Sequence, residues 1–221
     1  MMYLSRIAIN KQVQKARVAL SFPQMMHAAV LSSFPPGEGY ANEESRVLWR
    51  IDQIDGKPWL YVLSAIKPDF KHLVEQFGWQ ASGQDWETKD YDVFLDRLEN
   101  GQKWHFRIHA NPVQKHGNKV LPHVTVSQQK AWLKSRAEKN GFSILQSEVG
   151  GENYDCFDVV YKNTLKFRKT TETKTAVSLS VATFEGILVI EDVEIMRKTL
   201  CLGIGRAKAY GCGMLTLSSI K

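Results

Sequence analysis

Two dipeptides, Asp55-Gly56 and Asn100-Gly101, constrain the folding of this chain most. Each lies between short runs rich in β-branched and aromatic residues. Asx-Gly in that setting is the strongest local signal for a tight hairpin, because both turn residues must take positive φ. The first joins residues 46–52 (RVLWRID) to 58–66 (PWLYVLSAI), and the second joins 90–97 to 103–111. Upstream, residues 3–9 (YLSRIAI) alternate in polarity and predict a strand. Ser21-Phe22-Pro23 reads as a helix start, with Ser21 as cap and Pro23 in the first turn. That helix runs to about Ser33 and stops before Pro35-Pro36-Gly37. A second helix is predicted over 68–77. The resulting order is β-α-β-β-α-β-β.

The second half repeats this grammar. Residues 120–126 give an edge strand at best, because Pro122 cannot donate to a ladder. Residues 127–139 predict a helix with Ser127 as N-cap and Gly141 just beyond its end. Strands are predicted over 142–149, 154–168 and 176–190, a helix over 191–202 and a last strand over 213–219. The helix over 191–202 has acids at its start and basic residues later, as the helix dipole favours. The fold class is therefore α+β, with two tandem ferredoxin-like (RRM-like, βαββαβ) domains. Their expected extents are 1–116 and 117–221, divided at the polar stretch Lys115-His116-Gly117-Asn118.

Function is written most densely in residues 203–213, GIGRAKAYGCG, which hold four glycines and two cations. Glycine permits sharp turns and close approach of backbone to a ligand, and successive N–H groups can face an anion. A helix C-cap followed by a tight turn accounts for one or two glycines, not four interleaved with Arg206 and Lys208. A dinucleotide fingerprint needs strand before helix and the GxGxxG spacing, whereas this loop follows a helix and has Lys208 at the third glycine position. No Gly-Lys-Ser/Thr follows, so a P-loop is excluded too. The expected partner is a phosphate backbone, held through Gly203, Gly205, Gly211, Gly213, Arg206 and Lys208, with no small-molecule cofactor.

The net charge of +6 supports an anionic partner where cations cluster. They do so over 161–174, where Lys162, Lys166, Arg168, Lys169 and Lys174 face one acid, Glu172. A hairpin with these side chains can neutralise nucleic-acid phosphates, or can be a solvated edge whose lysines discourage aggregation. On 103–111, His105, Arg107, His109 and Asn111 alternate with apolar residues and share a strand face. An arginine between two histidines disfavours a metal there, and no metal is expected. His27 lies in the first predicted helix among small and apolar neighbours. It is the side chain best suited to proton transfer near neutral pH. Neither an acidic cluster for two-metal phosphoryl chemistry nor a Gly-x-Ser-x-Gly elbow is present. A nuclease built from this chain would therefore act on RNA, using the 2′-hydroxyl as nucleophile. Cys156, Cys201 and Cys212 lack zinc-ligand spacing and read as reduced thiols of a cytoplasmic protein. No membrane span or signal peptide is expected.

With these residues in place, the sequence resembles the CRISPR-associated repeat-RNA endoribonucleases, in their CasE branch of type I-E Cascade complexes. The carriers are Met2-Tyr3-Leu4-Ser5-Arg6, the helix with His27, Arg107-Ile108-His109-Ala110-Asn111-Pro112, Ala131-Trp132-Leu133, Phe184-Glu185-Gly186 and the loop from Gly203 to Gly213. They occur in the family's order and span the chain. The resemblance implies two ferredoxin-like domains and His27 as the catalytic residue. It implies binding of a repeat stem-loop by Lys162, Lys166, Arg168, Lys169 and Arg107 with the glycine loop. It further implies metal-free cleavage to a 2′,3′-cyclic phosphate and a 5′-hydroxyl, and retention of the product among other Cascade subunits. Relatives often carry a tyrosine three residues before the histidine. Here Gln24 stands in its place, leaving Tyr3 or Lys11 as alternative supporting groups. A non-catalytic guide-RNA-binding subunit of the same superfamily is the alternative reading.

Overall fold

The computed structural model describes residues 1–36, 44–79, 86–168 and 176–220. They form two compact units, Met1–Arg97 with Lys208–Gly211, and Leu98–Ala207 with Cys212–Lys221.

The first unit runs β1 (Tyr3–Ala8), α1 (Gln14–Ser21), α2 (Pro23–Leu31), β2 (Leu48–Ile54), β3 (Lys57–Ser64), α3 (Lys71–Phe77), β4 (Glu87–Asp90) and α4 (Asp92–Leu95). Its antiparallel sheet has the order β2-β3-β1-β4, the βαββαβ ferredoxin-like arrangement. Asp55 and Gly56 have φ of 50° and 74°, as the hairpin reading requires. Ile7, Met26, Val30, Trp49, Leu60, Val62, Leu73 and Phe77 share one buried core.

Two local readings are corrected. Ser21 does not cap the helix holding His27. It ends α1, an element absent from the sequence reading, and its hydroxyl donates to the Arg17 carbonyl at 3.0 Å. Phe22 is extended at φ −120°, and Pro23 opens α2. The strand expected over 90–97 lies earlier, as β4 (Glu87–Asp90), and residues 91–97 are not a strand. The Asp90 carboxylate accepts the Asp92 N–H at 2.9 Å, and the Tyr91 carbonyl accepts the Phe94 and Leu95 N–H groups, so the chain closes into a helical turn.

The second unit contains β5 (Lys103–Ala110), β6 (Val113–His116), β7 (Lys119–Pro122), α5 (Val126–Ala137), β8 (Phe142–Ile144), β9 (Gln146–Val149), β10 (Glu152–Asp155), β11 (Phe157–Arg168), β12 (Ala176–Ile190), α6 (Val193–Leu202) and β13 (Leu215–Ser218). The main sheet has the order β11-β12-β5-β13, with β8 also on β12. The sequence β5-α5-β11-β12-α6-β13 is a second βαββαβ unit. Phe106, Ile108, Leu133, Phe142, Phe184, Leu188, Met196 and Leu200 are buried in this unit, and Trp132 stacks on Phe184 at 6.2 Å between centroids.

The expected division after residue 116 does not follow the compact units. β5 is the first strand of the second unit, bonded to β12 on one side and β13 on the other. The Asn100-Gly101 turn exists, but no strand precedes it to make a hairpin. Instead, the Asn100 carboxamide accepts the Val193 N–H at 2.7 Å and the Gly101 N–H donates to the Ile190 carbonyl at 2.7 Å. Lys115–Asn118 lies in the β6–β7 hairpin. Capping is shifted as well. Thr125, not Ser127, caps α5 through a reciprocal box with Gln128. No helix among the described residues is long and apolar enough to cross a membrane.

Candidate active site

Helix α2 buries Pro23, Met26 and Val30, spaced to keep one face on the core. His27 follows Met26 around the helix and is half-buried at the flank of that face. Beneath it, β2 contributes Trp49, which is 4% exposed. The Trp49 indole N–H donates to His27 Nδ1 at 3.3 Å. Burial lowers the pKa of His27 below the ordinary histidine value of 6.5, because an imidazolium loses hydration there. Gln24 sits one turn earlier, partly buried. The two alternative supporting groups are engaged elsewhere. The Tyr3 hydroxyl donates to the Met1 sulfur at 2.7 Å, and Lys11 donates to Gln53 Oε1 and the Gly56 carbonyl at 3.0 and 3.3 Å.

The glycine loop is divided between the units. Gly203 ends α6, its N–H donating to the Thr199 carbonyl at 2.8 Å. Gly205 lies against Trp132, and Gly213 leads into β13 with its N–H on the His109 carbonyl at 2.7 Å. These three, with exposed Arg206, belong to the second unit. Lys208–Gly211 belongs to the first. Its 3-10 turn, Lys208–Tyr210, packs on α2 and β2. Gly211 has φ +78°, and a Cβ there would meet Trp49 Cζ3 at 2.7 Å. Only glycine lets the backbone lie on that ring while holding a left-handed conformation. Lys208 is half-buried, and its pKa is lowered, first by burial and then by the charge of Arg46. A half-buried lysine whose charge is opposed by a neighbouring arginine is suited to an anion.

The remaining predicted cations separate by register. Lys162 pairs with Ala182, which pairs with Ala110, whereas Arg107 pairs with Glu185. Opposed residues share a face, and adjacent residues along a strand do not. Lys162 and Lys166, both exposed, therefore lie on one face of the sheet, with Arg107 and His109 on the other. Arg107 is ion-paired to Glu185 across the strands, so its charge is partly answered within the chain. His109 Nδ1 bonds the Thr183 hydroxyl at 2.8 Å. Arg168 ends β11, and its side chain lies outside the described residues, as do Lys169 and Lys174 entirely. Burial raises the Cys212 thiol to about 12, which removes it as a thiolate nucleophile. Among the described residues no group of three or more His, Cys, Asp or Glu side chains could hold a metal ion.

Sequence reasoning missed Trp49 and Arg46. A tryptophan in an alternating strand reads as core, which Trp49 is. Only the register of β2 beneath α2 reveals the partner of its N–H.

A family model described as CRISPR associated protein matches residues 2–219. The CRISPR-associated endoribonuclease Cse3 of Thermus thermophilus is 27% identical over 224 residues, covering 98% of this chain and all of that protein. The structure of Thermus thermophilus Cse3 bound to an RNA representing a pre-cleavage complex superposes with a TM-score of 0.80 at 26% identity, covering 99% of both chains. The CRISPR-associated protein Cas6e of Escherichia coli K-12 shares the fold at a TM-score of 0.57 and 20% identity, covering 99% of this chain and all of that one.

Proposed function

Because this chain belongs to the CRISPR-associated protein family, we propose that it is a metal-independent endoribonuclease that binds and cleaves the CRISPR repeat stem-loop of precursor crRNA. The whole-length relative bears the name endoribonuclease, and its solved counterpart holds RNA. The observation that carries the reading within this chain is His27: half-buried, held by Trp49, and on the helix that packs against Lys208.

The substrate supplies its own nucleophile. The 2′-oxygen bonds to phosphorus and the bond from phosphorus to the 5′-oxygen breaks. The 2′-hydroxyl proton is given up, and the departing 5′-oxygen gains one. The products are a 2′,3′-cyclic phosphate and a 5′-hydroxyl. His27 serves the proton-active side of this exchange, and Lys208 with Arg46 offsets charge developing on the phosphoryl oxygens. Lys162, Lys166 and Arg206 hold stem phosphates, which positions the duplex more than it reads sequence. The deep, narrow A-form major groove leaves stem shape and unpaired nucleotides as the determinants. The mature crRNA stays bound, with the other Cascade subunits as further partners, in the cytoplasm.

Incubation with a repeat hairpin tests this on a denaturing gel. His27→Ala is expected to bind RNA normally and cleave about 10²–10⁴-fold more slowly. A single 2′-deoxy nucleotide at the cut should block cleavage and spare binding, and EDTA should change nothing. Cleavage by His27→Ala at the wild-type rate would refute the assignment. RNA bound with no shorter product from the wild-type chain would instead make this a guide-RNA-binding subunit.

A further inference from the structure

We infer that Trp49 is a positioning residue that holds His27 in one tautomer, with the ring proton on Nε2, and that Gly211 seats Trp49 for this task. The inference deepens the proposed function and rests on His27 acting at the RNA.

The argument is one of donors and acceptors. An indole nitrogen only donates. Its 3.3 Å contact with His27 Nδ1 therefore requires a lone pair on Nδ1. In a neutral imidazole the single proton must then sit on Nε2, and in an imidazolium the contact is lost because both nitrogens carry hydrogen. Nε2 has no partner within the chain among the described residues, which leaves its N–H available to substrate. His27 thus meets RNA as a neutral hydrogen-bond donor to a phosphoryl or departing oxygen. Taking the 2′-hydroxyl proton at Nε2 would need the opposite tautomer, with two N–H groups facing each other at Nδ1.

The surroundings favour this state. Burial already disfavours the charged ring. The ionisable groups on the elements packed around α2 are Lys15 and Arg17 on α1, Lys208 and Tyr210 on the 3-10 turn, Arg50 and Asp52 on β2, and Lys71, His72 and Glu75 on α3. Arg50 and Asp52 neutralise each other at 2.7 Å, and burial is what holds the His27 pKa down. Trp49 itself cannot withdraw, since its ring lies against the Gly211 backbone, with no room for a Cβ between them.

The test reads the ring directly. In the full chain labelled with ¹⁵N-histidine, without RNA at neutral pH, His27 should show a protonated Nε2 and an unprotonated Nδ1. Trp49→Phe keeps an aromatic ring in the core but removes the N–H. It should raise the His27 pKa, mix the tautomers, move the acid limb of cleavage to higher pH and slow the plateau about three- to tenfold, the worth of one hydrogen bond. A wild-type His27 with its proton on Nδ1 would overturn the inference, whether or not the variant folds. So would a Trp49→Phe chain with unchanged nitrogen shifts and an unchanged acid limb. Failure of the catalytic reading would be seen separately, as wild-type cleavage by His27→Ala, while the nitrogen shifts still report the tautomer.

Discussion

Replacing Gly211 with alanine adds one methyl group at a position defined by two measurable constraints. Its φ of +78° is left-handed, which costs a residue with a Cβ about 1–2 kcal/mol. The new Cβ would also stand 2.7, 3.0 and 3.1 Å from three carbons of the Trp49 ring. A buried ring cannot yield without repacking, and such overpacking costs about 1–3 kcal/mol. The sum is roughly 2–5 kcal/mol, read as a loss of unfolding free energy in urea. Gly56 provides the control, because it has φ +74° in the same unit but nothing within 4 Å of an added Cβ. Gly56→Ala should show the backbone cost alone. A double-mutant cycle then isolates the steric part. Phenylalanine lacks the Cζ3 and Cη2 atoms of the indole, so in a Trp49→Phe background Gly211→Ala should fall to the Gly56→Ala value. Cleavage should fall along with stability in the single variant, because a displaced Trp49 loosens His27. Equal costs for Gly211→Ala and Gly56→Ala, within about 0.5 kcal/mol, would refute the packing argument.

Three further outcomes are expected. Lys162→Ala with Lys166→Ala should weaken RNA binding across sequences and lower the salt slope by about 1.4–1.8, as two lost phosphate contacts require. An unchanged slope in filter-binding titrations would remove both residues from the interface. Asp52→Ala should destabilise the fold by about 3–5 kcal/mol, because it leaves the Arg50 guanidinium, 3% exposed, without its carboxylate. Denaturant melts check this. Finally, the folded pKa of His27 is below 6.5, so the fold favours the neutral ring. This stability contribution is complete above about pH 6.5 and is lost as pH falls through the folded value. Single-turnover cleavage should therefore hold its plateau to below pH 6.5, and an acid limb centred higher would contradict the burial of His27.

The alternation in 3–9, the Asp55-Gly56 turn and the two long strands 154–168 and 176–190 carry the fold class in the chain itself, since period-two burial and positive-φ turns are local properties. The assignment of β5 was not legible. Its residues alternate as any half-buried strand does, and the pairing that places it between β12 and β13 comes from the far end of the sequence. The short helices α1 and α4 escaped for the same kind of reason: Ala16, Ala19 and Leu95 give too few apolar positions to set a period. In the site, His27 and the glycine loop stood out by residue type. Trp49 did not, and the cross-strand pairing of Arg107 with Glu185 could not be read from either residue alone.

The return of Lys208–Gly211 to the first unit has a consequence for biosynthesis. Met1–Arg97 leaves the ribosome early, with His27 and Trp49 already made but the backbone that braces the indole still missing. That brace is translated only after almost all of the second unit. A nascent chain can thus form its N-terminal sheet, yet its histidine acquires a fixed setting only when synthesis is nearly done. A fragment ending near residue 97 would hold His27 and Trp49 without the Lys208–Gly211 backbone that packs on the indole.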